Sequence, residues 1–406
     1  MIGGMKRFGF LMFFMSVACF CAAAVLDVDV VGVARQSLSL SVEASGQGGE
    51  LFLKTLRNDL ARCGWYRLVS AGQVKVTGRV AGADGAQEDL LVAWPGKRFA
   101  WPRRAAHAAE ARQHAHELAD AIVEATTGER GIAQSRFVAV VKTGETRSGQ
   151  PIEDLYVCDY DGARVTRLTQ DGAPIVGPRW APGGKKIYFT SYRGGGPQLY
   201  VVDVETKRLT KLAEFRGLST GAAVSPVDPN KVALILSHQG NPELYIMDLR
   251  TRHLTRLTET KLAAEASPCW SPDGRKICYV SDVSGGPQLY IVDVASRQSR
   301  RLTLRGGESV QPDWGRHGIV FATKRGAPYR IAVIDPEKGE SSLRYLTPQN
   351  EIYESPSWAA DGRHVVASRT QGRQRSLWVL DAAEKGEAPY QPFSSGAQWL
   401  NPAWSK

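Results

Sequence analysis

A repeat with a period in the forties is the feature that most constrains the fold of this chain. Residues 196–204 return almost unchanged at 286–294, an offset of 90 residues. A Pro-x-Trp pattern recurs at half that offset, with Val224 replacing the tryptophan in one unit, at Trp180, Trp270, Trp314, Trp358 and Trp404. The successive spacings are 44, 46, 44, 44 and 46 residues. Such a period, with short strands and turns inside each unit, predicts blades arranged around an axis.

One complete unit shows four predicted strands. The first ends at Trp270, and Pro272-Asp273-Gly274 supplies a turn. Residues 276–280 and 288–292 are rich in β-branched and aromatic residues and predict the second and third strands. Residues 300–303 predict the fourth. Four short strands are typical of a propeller blade.

The aspartate that ends the third strand gives the number of units. It recurs six times, at Asp159, Asp203, Asp248, Asp293, Asp335 and Asp381. No Pro-x-Trp precedes the first of these aspartates, and no unit follows the last Pro-x-Trp, at Trp404. We therefore expect the C-terminal strand to complete the first blade and close a six-bladed propeller, which leaves no open sheet edge.

The N-terminus has the pattern of a secretion signal. Lys6 and Arg7 precede an apolar run over residues 8–24 that ends in three alanines. The run is short for a membrane span, so residues 1–24 are interpreted as a signal peptide. Cys19 follows a small residue, which leaves lipoprotein processing as an alternative.

A small α+β domain is predicted at residues 25–134, before a propeller at 135–406. Strands are expected at 28–30, 38–42, 65–69, 74–80 and 90–94. Helices are expected at 51–62 and 105–127, each followed by a glycine. The predicted fold class is an α+β N-terminal domain followed by an all-β six-bladed β-propeller closed by the C-terminal strand.

Charge and cysteine content give weaker constraints. The net charge of +10 is scattered, with no run of five or more Lys or Arg. This indicates a basic surface that favours acidic partners and argues against nucleic-acid binding. A three-residue loop after Trp270 would place Cys269 and Cys278 on opposite faces of their hairpin, so buried thiols are favoured over a disulfide.

Three patterns suggest chemistry, and each has a simpler interpretation. Residues 217–221 spell G-x-S-x-G around Ser219, but a nucleophile elbow needs a strand before it and a helix after it. Residues 159–162 resemble the start of a calcium loop, whose twelfth position would be the uncharged Gln170. His107 and His114 share a helix face while His116 points about 200° away from His114, which indicates a helix surface. No catalytic residue, metal or cofactor is predicted.

A binding surface is predicted at one mouth of the channel. The loops that lead into the innermost strands and those between second and third strands share one face of a propeller. The first set contributes Glu265, Ser267, Ser309, Gln311, Glu354, Ser355 and Asn401. The second set contributes Arg193, His238, Asp282, Lys324 and Arg369. Each residue alone is an ordinary polar loop residue, but as a ring they predict a partner site.

Several motifs resemble the TolB family of the bacterial Tol-Pal system. They are residues 59–64 (DLARCG), 115–122 (AHELADAI) and 127–131 (TGERG), which lead into the strand at Phe137, with the late repeats 354–358 (ESPSW) and 401–405 (NPAWS). The resemblance covers residues 51–406. The start of the chain departs from the family pattern, because only a short stretch precedes Leu38.

The resemblance implies a non-enzymatic periplasmic adaptor. Its propeller face would bind the peptidoglycan-associated lipoprotein Pal, and its N-terminal region would bind the inner-membrane protein TolA, for outer-membrane integrity and constriction at division. Leu26, Val28 and Val30 are the candidates for the TolA contact. The protein is expected to be monomeric and peripheral to the envelope membranes. The alternative is an exported propeller enzyme, peptidase-like or a lyase.

Overall fold

The computed structural model describes residues 35–170, 172–212, 215–326, 328–383 and 388–405. The predicted signal peptide and Leu26, Val28 and Val30 lie outside these ranges. In the described residues no helix is both long and apolar enough to cross a membrane.

The N-terminal part consists of one sheet and two helices. The helices are α1 (Gly46–Arg62) and α2 (Ala108–Thr127). The strands are β1 (Gln36–Ser45), β2 (Tyr66–Leu68), β3 (Val74–Ala81), β4 (Ala86–Trp94) and β5 (Lys97–Ala105). Their order in the sheet is β2-β1-β3-β4-β5, with β1 parallel to both neighbours and β3, β4 and β5 antiparallel. The two-layer α+β arrangement agrees with the prediction.

Both helix starts differ from the prediction. The first helix begins five residues earlier than predicted. Its first turn packs closely against the loop at Gly85, and this requires glycine at position 48, because a Cβ there would lie 1.9 Å from the carbonyl oxygen of Gly85. The second begins after His107, whose imidazole caps it by accepting from the Glu110 N–H at 3.2 Å. Gly128 ends this helix in the left-handed conformation, as its position predicted.

Strand β5 was not predicted from the sequence. It carries Lys97, Arg98, Pro102, Arg103 and Arg104, a composition that argues against a central strand. Because β5 lies at the sheet edge, its outward charges and its proline are tolerated there.

Six further sheets form the blades. The first joins the C-terminal β28 (Gln398–Trp404) to β6 (Arg136–Glu145), β7 (Pro151–Asp159) and β8 (Thr166–Arg167). The second contains β9 (Ile175–Trp180), β10 (Lys186–Ser191), β11 (Gln198–Asp203) and β12 (Leu209–Lys211). The third contains β13 (Ser219–Val224), β14 (Lys231–Leu236), β15 (Glu243–Asp248) and β16 (Leu254–Arg256).

The remaining blades follow in chain order. The fourth contains β17 (Glu265–Trp270), β18 (Lys276–Ser281), β19 (Gln288–Asp293) and β20 (Ser299–Arg301). The fifth contains β21 (Glu308–Gly315), β22 (Gly318–Lys324), β23 (Arg330–Ile334) and β24 (Arg344–Tyr345), with a 3₁₀ turn at Gly339–Ser342. The sixth contains β25 (Ile352–Trp358), β26 (His364–Gln371) and β27 (Gln374–Asp381).

The sixth blade departs from the predicted four strands. Its sheet has three strands among the described residues, and only a bridge between Val379 and Tyr390 replaces the outer strand. The closure of the ring is as predicted. Strand β28 pairs antiparallel with β6, with Trp404 opposite Phe137.

The repeated tryptophans link neighbouring blades. The indole N–H of Trp270 donates to the carbonyl of Ala223 in the preceding blade at 2.9 Å. Trp180 does the same to Ala403, across the closure, at 3.1 Å. Tryptophan recurs at this position because its large ring packs against the preceding blade and its indole N–H donates to a backbone carbonyl there.

The hydrophobic core of the N-terminal part continues into the propeller. Phe52, Leu56 and Ile122 belong to the same buried cluster as Phe137 and Trp404. Across this junction the Arg363 guanidinium lies over the ring of Trp65. Within the sixth blade the same side chain forms a buried ion pair with Asp381 at 2.7 Å. Gly64, at φ 74°, is needed at the junction, because a Cβ would lie 2.7 Å from the Arg363 guanidinium carbon.

The hairpin that carries two cysteines has a different register from the predicted one. Its loop has four residues, since Ser271 N–H donates to Lys276 O at 2.9 Å. The additional residue shifts the pairing by one position and places Cys269 directly opposite Cys278. Both are buried free thiols, and burial raises the pKa of Cys278 well above its ordinary value.

Candidate functional site at the mouth of the propeller channel

Each innermost strand carries a bulge at the same position. The pairing with the second strand shifts register in all six blades. At each bulge one residue has φ between 45° and 64°. These six residues, the bulge ring, are Gly177, Gly221, Ser267, Gln311, Ser355 and Asn401. The sequence places each of them immediately before the residue that opens the Pro-x-Trp pattern or its equivalent.

Four members of the bulge ring are polar and not glycine. A left-handed backbone costs a residue with a Cβ about 1–2 kcal/mol, so these side chains are retained in spite of strain. Gln311 Oε1 accepts the Ser355 N–H at 2.8 Å, and Ser355 Oγ donates to Asn401 Oδ1 at 2.8 Å. Together with Ser267 they line a cavity of about 90 Å³ inside the channel. The structure therefore brings four of the predicted site residues together.

Two residues of the predicted surface are buried. Glu265 is 2% exposed, and its Oε1 accepts from Ser281 Oγ at 3.0 Å. Ser309 is also buried, with its hydroxyl 3.3 Å from that of Thr323. Glu265 was predicted to be a polar loop residue of the binding surface, and this is wrong. The residue begins β17, and its side chain is buried.

The buried carboxylate of Glu265 lies near a second one, Glu243. Glu243 accepts from Arg256 at 3.0 Å and from Thr258 at 2.6 Å, and the Thr260 hydroxyl lies within reach of both glutamates. Burial by itself would raise the pKa of Glu243, but these hydrogen bonds lower it. Burial, and then the charge of Glu243, raise the pKa of Glu265 to about 7.

The repeat comparison contains a signal for Glu243 that the sequence analysis missed. In the second and fourth units its place is taken by Gln198 and Gln288. Gln288 Oε1 accepts from Thr303 at 2.8 Å, as Glu243 accepts from Thr258. The third unit therefore keeps the hydrogen bond and adds a charge.

Three predicted residues of the second set pack on aromatic rings. Arg193 is exposed, with its guanidinium 5.7 Å from the ring of Tyr200. Lys324 lies 5.8 Å from the ring of Tyr329. Arg369 stacks on Trp378 at 4.3 Å. Such contacts hold long cationic side chains in defined positions at the rim.

The other predicted residues are more varied. Asp282 is exposed and accepts the Ala264 N–H at 2.8 Å. His238 is half-buried, with its ring 5.2 Å from that of Tyr245. Glu354 is half-buried at the start of the sixth blade.

Exposed apolar side chains beside these residues were not predicted. Leu262 is 97% exposed and Leu304 is 62% exposed, and both precede innermost strands. Val283, between the second and third strands of the fourth blade, is also exposed. We call these three residues the apolar rim. All three lie on loops of one face, within the fourth blade or leading into the fourth and fifth blades. Exposed apolar surface in one region is typical of a protein-binding surface.

A second cavity lies at the other end of the channel. It has a volume of about 330 Å³ and is lined by the repeated tryptophans, including Trp180 and Trp270. Arg130, from the segment after α2, reaches its lining. This end faces the N-terminal part, whereas the predicted site lies at the opposite mouth.

The structure excludes the nucleophile elbow. Ser219 begins β13, so a strand follows the serine where a helix is required. The calcium-like pattern at residues 159–162 is a turn in which Arg164 pairs with Asp159 at 2.8 Å.

The predicted helix surface for the histidines is only partly correct. His107 caps α2, and His114 lies 2.9 Å from Glu88. His116 is buried, with Nδ1 2.7 Å from Asp59. Its helix face is covered because α1 and the first blade pack against it.

These features define a class: a six-bladed β-propeller with an α+β domain against one end of its channel and a polar, apolar-rimmed mouth at the other. A sequence model of the TolB beta propeller domain matches residues 123–406. The chain belongs to this family.

Relatives and a solved structure agree with that assignment. Tol-Pal system protein TolB of Hahella chejuensis is 39% identical over 109 residues, which are 27% of this chain and 25% of the relative. The protein of the same name from Chromobacterium violaceum is 28% identical over 227 residues, 48% of this chain and 51% of the relative. These matches span from a quarter to about half of the relatives' length.

The fold is shared over a longer range. The crystal structure of TolB from Acinetobacter baumannii superposes with a TM-score of 0.75 at 24% identity, covering 91% of this chain and 96% of that one. At this identity the match supports the architecture alone, which is the predicted one.

Proposed function

We propose that this protein is a periplasmic protein–protein adaptor of the Tol-Pal envelope system. It binds a Pal-like peptidoglycan-associated lipoprotein through the propeller mouth and a TolA-like inner-membrane protein through its N-terminal region. The complex maintains outer-membrane integrity and supports constriction at cell division. Family membership and the names of the relatives support the system.

The observation that carries the Pal contact is the apolar rim beside the polar bulge ring. Leu262 and Leu304 project from the loops that lead into the fourth and fifth blades. On the same face, Lys324 of the fifth blade and Arg193 of the second blade lie against aromatic rings. Exposed apolar side chains act as anchors in protein interfaces. Charged side chains that are already held in place lose less conformational entropy when a partner binds. The predicted residues Glu354, Asp282, His238 and Arg369 complete the same surface in this proposal.

The N-terminal contact rests on the resemblance. Leu26, Val28 and Val30 follow the proposed signal peptide of residues 1–24, which would direct export to the periplasm. We place the domain border at residues 134 and 135. A monomer peripheral to the envelope membranes, without nucleic acid, fits the scattered surface charge.

Charge reversal at Glu265 would not test this surface, because the side chain is buried. The apolar rim offers a better experiment. Leu262→Glu and Leu304→Glu should each weaken binding of a Pal-like domain at least about tenfold, as expected for a truncated hot spot. Isothermal titration calorimetry measures the affinity.

Val227→Glu is the matched control. Val227 is 63% exposed in the turn after β13, at the opposite end of the propeller. The Val227→Glu variant should bind the Pal-like domain with the same affinity as the parent chain. Equal affinity of all three variants and the parent would move the partner site away from the mouth.

The enzyme alternative makes a different prediction. A propeller serine hydrolase would react with a fluorophosphonate probe, and an adduct at Ser219 would contradict the adaptor proposal. The strand that follows Ser219 gives no support to such a reaction.

A further inference from the structure

A cluster of ionisable side chains lies where α2 meets the first blade. His116 comes from α2, whereas Asp159 and Asp161 come from the end of β7 and the turn after it. The potential ligand atoms of these three residues lie within 4.8 Å of one another. None of this cluster takes part in the proposed partner site.

The second ring nitrogen of His116 is an unsatisfied buried polar atom. The residue is 3% exposed, and Nε2 makes no hydrogen bond within the described part of the chain. Nε2 lies 3.9 Å from Asp161 Oδ2. A buried nitrogen without a partner costs free energy unless something binds it.

The other ring nitrogen is oriented by a carboxylate. His116 Nδ1 lies 2.7 Å from Asp59 Oδ2, and the Tyr160 hydroxyl donates to the other oxygen of Asp59. A metal-binding histidine usually donates its distal N–H to a carboxylate in this way, which fixes the tautomer with a free lone pair on the ligand nitrogen.

Two arginines occupy only part of the aspartates' acceptor capacity. Arg112 donates to Asp159 Oδ2 at 2.6 Å and to Asp161 Oδ1 at 2.5 Å, and Arg164 forms two hydrogen bonds with Asp159. Each carboxylate has about four acceptor positions, and Asp161 Oδ2 faces His116. Asp59 adds a third carboxylate beside the imidazole of His116, and burial raises the pKa of this carboxyl.

We propose that His116 Nε2, Asp161 Oδ2 and one oxygen of Asp159 bind a divalent zinc ion between the two domains. Zinc bonds to histidine nitrogen and carboxylate oxygen measure about 2.0–2.2 Å, so two ligand atoms on one ion lie at most about 4 Å apart. The 3.9 Å between His116 Nε2 and Asp161 Oδ2 meets that limit. Because all three ligand atoms lie within 4.8 Å of one another, the Asp159 carboxylate reaches the same ion with a movement of less than about 1 Å. The ion would fix the propeller to α2, because its ligands come from both.

The sequence did not indicate this set. His116 was grouped with the neighbouring histidines of its own helix, and residues 159–162 were compared with a calcium loop. Only packing brings one member of each pattern together. The proposal concerns no partner protein, so it stands or falls independently of the adaptor function.

The full chain, freed of metal with a chelator, should bind one equivalent of Zn²⁺ in calorimetry with micromolar or tighter affinity. Co²⁺ as a probe should give the visible absorption of a four-coordinate site. Zinc should also raise the Tm of the chain. Failure to bind Zn²⁺, or binding at millimolar concentration only, overturns the proposal.

Variants locate the ion. Asp161→Asn keeps the acceptor for Arg112 on a partly exposed turn, and it should weaken zinc binding at least about tenfold and remove the Tm increase. His116→Gln should do the same. Glu205→Gln, at the equivalent position of the second blade, removes one charge without a nearby histidine and should bind like the parent. If both Asp161→Asn and His116→Gln bind zinc as tightly as the parent chain, the ion lies elsewhere and the site is rejected.

Discussion

At the residue scale, the recurring aspartates show how one side chain can have different roles in equivalent positions. Asp203 and Asp293 each accept two backbone N–H groups of the turn that follows them. Asp381 instead pairs with Arg363, and although burial alone would raise its pKa, the hydrogen bond from Arg363 lowers it to about 2. The regular spacing of the aspartates indicates a turn after the third strand of each blade. The neighbouring residues determine which groups each carboxylate contacts.

Glu265 gives a residue-scale prediction about pH. Its pKa is about 7 in the folded chain, against about 4.3 in an unfolded one. Between these values the folded state binds more protons, so this group's stabilising contribution is present at low pH and is lost as pH rises through about 7. At pH 8 Glu265→Gln should therefore be more stable than the parent, by on the order of 2 kcal/mol.

Urea unfolding at pH 5 and pH 8 measures this effect. At pH 5 the variant and the parent should be nearly equal, because the glutamine still accepts from Ser281. The control is Glu354→Gln, which replaces a half-buried carboxylate on the same face. If the difference in free energy of unfolding between Glu265→Gln and the parent does not increase from pH 5 to pH 8, the proposed interaction between the two buried carboxylates is wrong.

At the element scale, the bulge in each innermost strand is the repeated device that shapes the channel. Gly177 and Gly221 adopt the left-handed backbone without strain, while Gln311 and Asn401 do so because their side chains hydrogen-bond around the ring. Bulges turn side chains toward sites, and here they direct polar groups into the channel.

Gln311→Ala should destabilise the protein by about 1–2 kcal/mol, because it leaves the Ser355 N–H without its acceptor. Ser267→Ala, at the same position of the fourth blade, should change the free energy of unfolding by less than about 0.5 kcal/mol. Denaturant titration compares the two. Equal effects would mean that the hydrogen-bonded chain contributes nothing to the ring.

Strand β28 carries the closure of the propeller. Deleting residues 401–406 removes Trp404, whose loss alone should cost about 3–5 kcal/mol, and exposes the edge of β6. We expect the Tm to fall by about 10 °C or more, with aggregation through the open edge. Differential scanning calorimetry should show a much smaller loss when only residues 405–406 are removed, and a six-residue deletion that melts like the parent would contradict closure.

At the scale of the whole molecule, the two domains share a core, and two arginines of the propeller contact the N-terminal domain from environments of unequal burial. Arg363 lies over the ring of Trp65 in the N-terminal domain and forms a buried ion pair with Asp381 inside the sixth blade. Arg316 forms a more exposed ion pair with Glu129 of the N-terminal domain at 2.5 Å. Burial decides their energetic weight, since a charge left alone in the interior is costly and one in water is not.

Arg363→Ala should therefore cost about 3–5 kcal/mol, because it removes both hydrogen bonds that Arg363 donates to the buried Asp381 carboxylate and the contact with Trp65. Arg316→Ala should cost under about 1 kcal/mol. Urea unfolding followed by tryptophan fluorescence measures both, and similar losses in the two variants would show that the burial of the Arg363 ion pair does not add to the stability of the protein.

The repeats by themselves determined the six blades and the closure by β28, and the apolar patterns of residues 25–134 predicted an α+β domain before the propeller. A fixed period records local turns and strands, and these depend on nearby residues. The same reasoning missed β5, because an edge strand can be polar, and it mispaired Cys269 with Cys278 by one loop residue.

Only the tertiary structure decided which side chains are accessible and which meet. Glu265 is buried beside Glu243, Leu262 is exposed, and His116 lies against Asp161. These contacts are between residues of different elements or blades. The burial of each side chain depends on how neighbouring blades pack. A period cannot encode them, because burial and proximity arise from contacts between units and not from the pattern within one.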